Sequence, residues 1–173
     1  MFAKSRRLAL GAAALAPVVS IGVPAVAHAE TAPPPAPKKH CVINALSASQ
    51  IAAGVQSVLV CFETKQQADA AASGTGGPIT SAFGSGFPMA TFYSSRSMDT
   101  SGSLTVKGGA CTDYLYATPA NWLDYMAAWA PQGCSTAKHY TDINFGGQSL
   151  YTTTATAFSA PFLRNIRSVK FGI

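Results

Sequence analysis

The chain has 173 residues, of which 11% are charged and 48% are hydrophobic. So few charged residues argue against a coiled coil, a long surface helix or an acidic tail, and so many hydrophobic residues argue against a largely disordered chain. The formal net charge is +5. It falls to about +2 without the basic N-terminal segment, which is too weak for a nucleic-acid-binding protein with its dense basic patch.

The N-terminal segment, residues 1–29, has the pattern of a signal peptide. Three basic residues within the first seven precede an apolar run over residues 8–26, and Ala27-His28-Ala29 comes directly after it. This order of basic, apolar and small residues is typical of a cleaved export signal. Two prolines within the run, Pro17 and Pro24, favour cleavage over retention as a membrane anchor. We therefore expect a secreted, extracellular protein with no membrane association after cleavage.

The four cysteines all lie beyond residue 29 and indicate two disulfides, because an exported protein folds in an oxidising compartment. Three pairings are possible. The separations of 20 and 23 residues favour two local bridges, Cys41–Cys61 and Cys111–Cys134. Zinc is disfavoured, since the chain has no C-x-x-C pair and its histidines lie beside no matching ligands.

The first half of the mature chain predicts a leader, a small folded unit and a linker. Residues 30–40 are proline-rich and should be extended. Residues 41–73 predict a disulfide-stapled α/β unit, in which β-branched segments alternate with S/T-x-x-Q capping boxes at Ser47 and Thr64. A unit of this size buries little core, so it is either held by its disulfide or packed on the C-terminal half of the chain. Residues 74–88 are rich in Gly, Ser and Pro and predict a linker.

The second half, residues 89–173, predicts a β-sandwich. Short segments rich in Thr, Tyr, Phe and Val alternate with turn residues at intervals of about 8–12. These segments lie at 90–93, 103–106, 135–140 and 149–153. The half also repeats itself, because Tyr93 leads to Gly102-Ser103-Leu104 much as Tyr140 leads to Gly147-Gln148-Ser149-Leu150. A repeat of this kind predicts two copies of one β-motif.

The second copy carries the more regular motif, an aromatic-x4-aromatic-x-Gly pattern made by Tyr140, Phe145 and Gly147. It predicts a folded hairpin in which Gly147 has a positive φ and the two rings pack together. In the first copy, Met98 takes the place of the second aromatic residue. A second signature comes after each motif, and it includes Trp122 and Asp124 in the first copy and Ser168 in the second.

These motifs resemble those of the βγ-crystallin superfamily. The resemblance rests on Tyr140, Phe145 and Gly147, more loosely on Tyr93, Met98 and Gly102, and on Trp122, Asp124 and Ser168. It implies a mainly β fold of two Greek-key motifs forming a sandwich, with residues 41–73 as a small N-terminal α/β appendage. The secreted, disulfide-bonded context is similar to a bacterial branch of peptidase-inhibitor-like proteins, which includes inhibitors of metalloproteinases.

Calcium is the bound ion that the resemblance implies first, since calcium sites of the family take oxygen ligands from an Asn/Asp-x-x-Ser/Thr stretch. Here Ala127 and Ala128 replace hydroxyl residues in the first copy. Arg164 and Arg167 bring positive charge to the second copy, which opposes Ca²⁺. Asp124 is the one candidate ligand left, so we expect neither calcium nor another cofactor.

No catalytic motif is present, because the chain has neither G-x-S-x-G nor H-E-x-x-H. His139 lies near Asp142, but alternation places it opposite Tyr140, which predicts a surface residue. The aromatic residues within residues 114–129 either fill the core or form a binding patch. The cluster of Arg164, Arg167 and Lys170 is expected to be a solvated edge.

We therefore expect a non-catalytic, monomeric binding protein and not an enzyme. The partner implied by the resemblance is an extracellular peptidase, which would be inhibited by an extended loop braced by Cys111–Cys134. Such bracing lowers the ordering cost of binding. The alternative is a structural, cell-surface or effector module of the same fold that has no peptidase target.

Overall fold

The computed structural model describes residues 39–75, 83–99 and 101–172. Within these ranges the chain is mainly β, with ten strands in two sheets and two short α-helices. The predicted signal peptide, nearly all of the leader and the middle of the predicted linker lie outside the described residues. None of the described helices is both long and apolar enough to span a bilayer.

Two short α/β pairs open the described chain, and eight strands come after them. The first part contains β1 (His40–Asn44), α1 (Ala48–Ala52), β2 (Leu59–Phe62) and α2 (Lys65–Ser73). The next strands are β3 (Phe87–Tyr93), β4 (Ser103–Gly108), β5 (Tyr114–Leu115) and β6 (Ala128–Pro131). The last are β7 (Ala137–Tyr140), β8 (Ser149–Thr152), β9 (Thr156–Ala157) and β10 (Ser168–Phe171).

Both helices begin at the predicted capping boxes. The Ser47 side chain accepts a hydrogen bond from the Gln50 N–H, and the Thr64 side chain accepts one from the Gln67 N–H. Each glutamine side chain accepts the N–H of its capping residue in return. α2 ends at Gly74, whose φ of 83° is the left-handed conformation that ends many helices. Local sequence therefore specifies where α1 and α2 lie.

The two sheets have related strand orders. The larger is β2-β1-β4-β3-β6-β9, and the smaller is β5-β10-β7-β8. Within them, β4-β3-β6 corresponds to β8-β7-β10, so each sheet contains three strands from one copy of the sequence repeat. Each is extended by a two-residue strand from the other copy, β9 in the larger sheet and β5 in the smaller.

Matching hydrogen bonds relate the two copies. The Ala127 N–H donates to the Tyr93 carbonyl and the Arg167 N–H donates to the Tyr140 carbonyl, both at 2.8 Å. In each hairpin the tyrosine is also paired in register with the serine of the Ser-Leu pair. The repeat seen in the sequence is therefore a repeat in the structure.

The segment predicted as an appendage is part of the larger sheet. β1 lies between β2 and β4, antiparallel to the first and parallel to the second. Its Cys41 and Ile43 side chains enter the main core, while Val42 packs with Ala68 and Ala71 of α2. Both faces of β1 are thus buried. The segment is therefore packed on the C-terminal half of the chain and is also stapled by its own disulfide. The last two residues of the predicted linker, Phe87 and Pro88, already belong to β3.

One core joins both sheets. Its members come from β1, β3, β4 and β6 of the larger sheet and from β5, β7 and β10 of the smaller. Trp122 and Trp129 are fully buried in it. Tyr114, Tyr116 and Tyr125 stay partly exposed. The aromatic residues of the 114–129 region therefore divide between the core and the surface.

Candidate functional site

The two disulfides join the pairs that the sequence spacing favoured. Cys41–Cys61 links directly opposed residues of β1 and β2. Cys111–Cys134 links the segment after β4 to the segment after β6, with 5.5 Å between the Cα atoms. No described cysteine is free. The first bridge therefore lies within the larger sheet, and the second joins two segments that follow strands of that sheet.

The loop after β6, expected to enter a peptidase, is held against β3. The N–H groups of Gln132 and Cys134 donate to the Met89 carbonyl at 3.0 and 3.1 Å, and the Gly133 N–H donates to the Pro88 carbonyl at 2.9 Å. Every described residue with a positive φ lies outside this loop. The loop is neither strained nor free to pair its N–H groups with a partner strand, so its geometry does not favour the expected contact.

Asp124, the candidate calcium ligand, is engaged by a cation. Its Oδ1 atom lies 3.6 Å from Nη2 of Arg167, across the two copies of the repeat. A guanidinium at this position competes with any metal ion for the carboxylate. No group of three or more His, Cys, Asp or Glu residues that could hold a metal occurs in the described part of the chain.

His139 is buried, which corrects its predicted place at the surface. Its exposed fraction is 0%, and the rings of Trp129, Phe92 and Phe158 surround it at centroid distances of 5.0, 5.8 and 5.0 Å. Its Nε2 atom lies 2.8 Å from Thr152 Oγ1, while Nδ1 has no partner. Burial lowers its pKa to about 3. Strand alternation does separate His139 from its neighbour, but it is His139 that faces the core.

The hairpin between β7 and β8 has the predicted geometry. Gly147 has a φ of 70°, and the Phe145 ring packs on the Tyr140 ring with 5.7 Å between centroids. Ser168 Oγ accepts a hydrogen bond from the Phe145 N–H at 3.0 Å and donates one to the Asp142 carbonyl at 2.7 Å. Ser168 thus ties the hairpin to β10.

The first copy keeps the motif less closely. Tyr93 ends β3 and Met98 has a φ of 56°, but Gly102 does not have a positive φ. Ala128 begins β6 where Ser168 begins β10, so this hairpin lacks the serine hydroxyl. Trp122 of the second signature is buried in the core. The two copies are therefore related in backbone more than in side chains.

The side chains that point away from the core in the smaller sheet form a row across its four strands. Tyr114 in β5 pairs with Lys170 in β10, and Lys170 pairs with Lys138 in β7. Lys138 pairs in turn with Tyr151 in β8, which is 51% exposed. Because neighbouring strands are 4.7–4.9 Å apart, the row is about 14 Å long. We call this outer surface, with Tyr140 beside the row, the lysine face.

Aromatic rings hold both ammonium groups of the lysine face. Lys170 Nζ lies 4.5 Å from the centroid of the Phe145 ring and 5.9 Å from that of Tyr114. Lys138 Nζ and Lys170 Nζ lie 5.6 and 6.0 Å from the centroid of the Tyr140 ring, so they share it. Cation–π attraction stabilises such contacts by roughly 0.5–1 kcal/mol at exposed sites. Among the described residues, no carboxylate oxygen lies within 4.0 Å of either ammonium.

The sequence alone does not reveal this face. It groups Lys170 with Arg164 and Arg167 as a solvated edge, because spacing along one strand carries no information on its partners. Lys138 and Lys170 meet only through the pairing of β7 with β10, which are separated by β8 and β9 in the chain. A cross-strand pairing pattern is the signal that would have been needed.

Neither a free thiol nor an exposed imidazole lies among the described residues around the lysine face. The described cysteines are oxidised, and His139 is sealed in the core. The other described histidine, His40, is buried with its Nδ1 atom 2.9 Å from Ser103 Oγ.

Comparison of the chain with protein-family models, curated proteins and solved structures finds no match.

Proposed function

We propose that this protein is a secreted, non-catalytic binding protein of βγ-crystallin-like fold, and that it binds its partner through the lysine face. The observation that carries the proposal is a surface with two lysines and exposed aromatic area, on which no carboxylate oxygen of the described residues lies within 4.0 Å of either ammonium. Tyrosine is enriched at protein interfaces, where its ring supplies contact area at a low cost in conformational entropy.

The arrangement of strands supports the crystallin-like fold. Three strands of each repeat lie in one sheet and the remaining short strand lies in the other, as expected for two Greek-key motifs that form a sandwich. The positive φ of Gly147 and the hydrogen bonds of Ser168 add support from the second hairpin. The two disulfides support an oxidising, extracellular-type compartment.

An extracellular peptidase is the partner that the family resemblance implies, and its inhibition is the proposed activity. The contact differs from the one expected from the sequence, since the loop beside Cys134 is hydrogen bonded to β3. The lysine face is the better candidate for the contact. The alternative is a structural or cell-surface module that uses the same face without a peptidase target.

The test compares two bulky substitutions of exposed serines. Ser149→Trp places a large side chain on the lysine face beside Tyr140, and Ser135→Trp places the same side chain next to Cys134. Binding and inhibition are measured by surface plasmon resonance and peptide hydrolysis with secreted metallo-, serine and cysteine peptidases. We expect Ser149→Trp to abolish binding and Ser135→Trp to leave it unchanged.

Two other results would change the proposal. If Ser135→Trp abolishes binding and Ser149→Trp does not, the loop is the contact and the lysine face is not. If no peptidase is bound but the protein binds intact cells in a manner that Ser149→Trp abolishes, the alternative module is correct.

A further inference from the structure

We infer that the lysine face takes an extended, acidic segment of a protein partner, with carboxylates of that segment over Lys138 and Lys170. This inference rests on the proposed function and adds the chemistry of the partner. It draws on the charges, the aromatic rings and the dimensions of the face.

The two lysines form a like-charge pair, and no carboxylate in the described ranges forms a salt bridge with either of them. They are directly paired across β7 and β10, a placement that destabilises a sheet when the charges are alike. The carboxylate of Asp113, just before β5, accepts the N–H groups of Gly109 and Ala110 at 2.8 and 3.1 Å. An acidic partner would relieve the repulsion between the lysines, because its charge is complementary.

The ammonium groups are already positioned for such a partner. Lys170 lies against three aromatic rings, and Lys138 shares the Tyr140 ring with it. A lysine on a bare surface loses side-chain entropy when it is immobilised by binding, at roughly 0.5–1.5 kcal/mol per side chain. The rings have already restricted these two side chains, so less of that cost remains on binding.

The size of the face favours a short peptide segment over a long polyanion. Two lysines between two tyrosines span about 14 Å, which is the length of about four extended residues. A sulfated polysaccharide or a nucleic acid is bound by many cationic contacts along a dense basic patch. A second copy of this chain is also a poor occupant, because a symmetric contact would place lysines against lysines.

The test titrates the protein, with both disulfides intact, into a fluorescein-labelled peptide of alternating Glu and Ser. The matched peptide has Gln in place of Glu. Fluorescence anisotropy is read at low and at physiological salt. We expect tighter binding of the Glu peptide, and about tenfold weaker binding of it by Lys138→Gln/Lys170→Gln, with salt weakening the wild-type complex.

The control variant is Lys39→Gln, which removes the same charge from a lysine that pairs with Glu63 at 3.1 Å in another part of the molecule. It should change affinity for the Glu peptide by less than about twofold. The single variants Lys138→Gln and Lys170→Gln are measured beside it, since each removes one charge. A loss of affinity in Lys39→Gln equal to that in these single variants would mean that only net charge matters, and would overturn the inference. So would equal affinity for the Glu and Gln peptides.

Two further probes separate the acidic segment from other anions. A heparin fragment and phosphatidylglycerol vesicles are titrated with the same variants. Tighter, lysine-dependent binding of either probe than of the Glu peptide would overturn the inference in favour of that class of anion. If the double lysine variant still binds the natural partner and Ser149→Trp does not, this inference fails while the proposed function stands.

Discussion

At the scale of single residues, the hairpin glycine gives the sharpest prediction. Gly147 has a φ of 70°, and a Cβ atom there would meet Thr141 Oγ1, which accepts the Gln148 N–H, as well as Asp142 Oδ2 at 2.8 Å. We expect Gly147→Val to destabilise the protein by about 1–3 kcal/mol through backbone strain, with the clash adding to it. The measurement is the urea midpoint of unfolding.

The adjacent glycine is the matched control for that prediction. Gly146 has a φ of −89°, which any residue adopts, and a Cβ atom there would come no closer than 3.4 Å to its neighbours. Gly146→Ala should therefore change the free energy of unfolding by less than about 0.5 kcal/mol. A wild-type midpoint for Gly147→Val would show that this turn tolerates the strain, and would remove the main motif that supports the crystallin-like fold.

The buried histidine makes stability depend on pH. The pKa of His139 falls from 6.5 to about 3 on folding because of burial. Between these values the unfolded chain binds a proton that the native state does not. Neutral His139 therefore makes its full contribution to the free energy of unfolding above pH 6.5. This contribution is lost as the pH falls toward 3, by at most about 1.4 kcal/mol per pH unit.

The variant His139→Gln tests this dependence. Unfolding free energies are measured in urea between about pH 7 and pH 4, and the slope against pH should be shallower in the variant than in the wild type. His40→Gln is the comparison, since burial and Lys65 also lower the pKa of His40. His40→Gln should reduce the slope of unfolding free energy against pH by less than His139→Gln does, because folding shifts the pKa of His139 further. Equal slopes for His139→Gln and wild type would contradict the prediction.

At the scale of elements, the sequence predicts what is locally determined. The capping boxes at Ser47 and Thr64 place both helices, and the hairpin motif places the positive φ of Gly147. Alternation separates the two faces of β7 but does not say which face is solvated, so the prediction for His139 is wrong. Contacts between distant strands leave no mark in local sequence, which is why the Lys138–Lys170 pair is visible only in the structure.

The position of β1 within the sheet is also not predictable from local sequence. Its residues predict a strand, but the parallel pairing with β4 joins segments more than 60 residues apart, His40 with Ser103 among them. A strand of apolar, β-branched residues on its own fits an isolated unit as well as an inner strand of a sheet. Burial on both faces, by the core and by α2, decides between them.

At the scale of the whole molecule, the shared sheet predicts one cooperative unit. Since β1 is paired on both sides and its side chains enter the common core, residues 40–73 cannot lose their structure without exposing core residues of β3 and β4. We expect a single two-state transition, with β1 amides protected from hydrogen exchange to the same free energy as β4 amides. Tryptophan fluorescence, which reports Trp122 and Trp129, and exchange measured by mass spectrometry should give coincident transitions in urea. The double variant Cys41→Ala/Cys61→Ala should lower both transitions together, by up to about 3 kcal/mol for a loop of this size. Loss of β1 protection at a urea concentration where the tryptophans remain native would instead mean that residues 40–73 unfold as a separate unit.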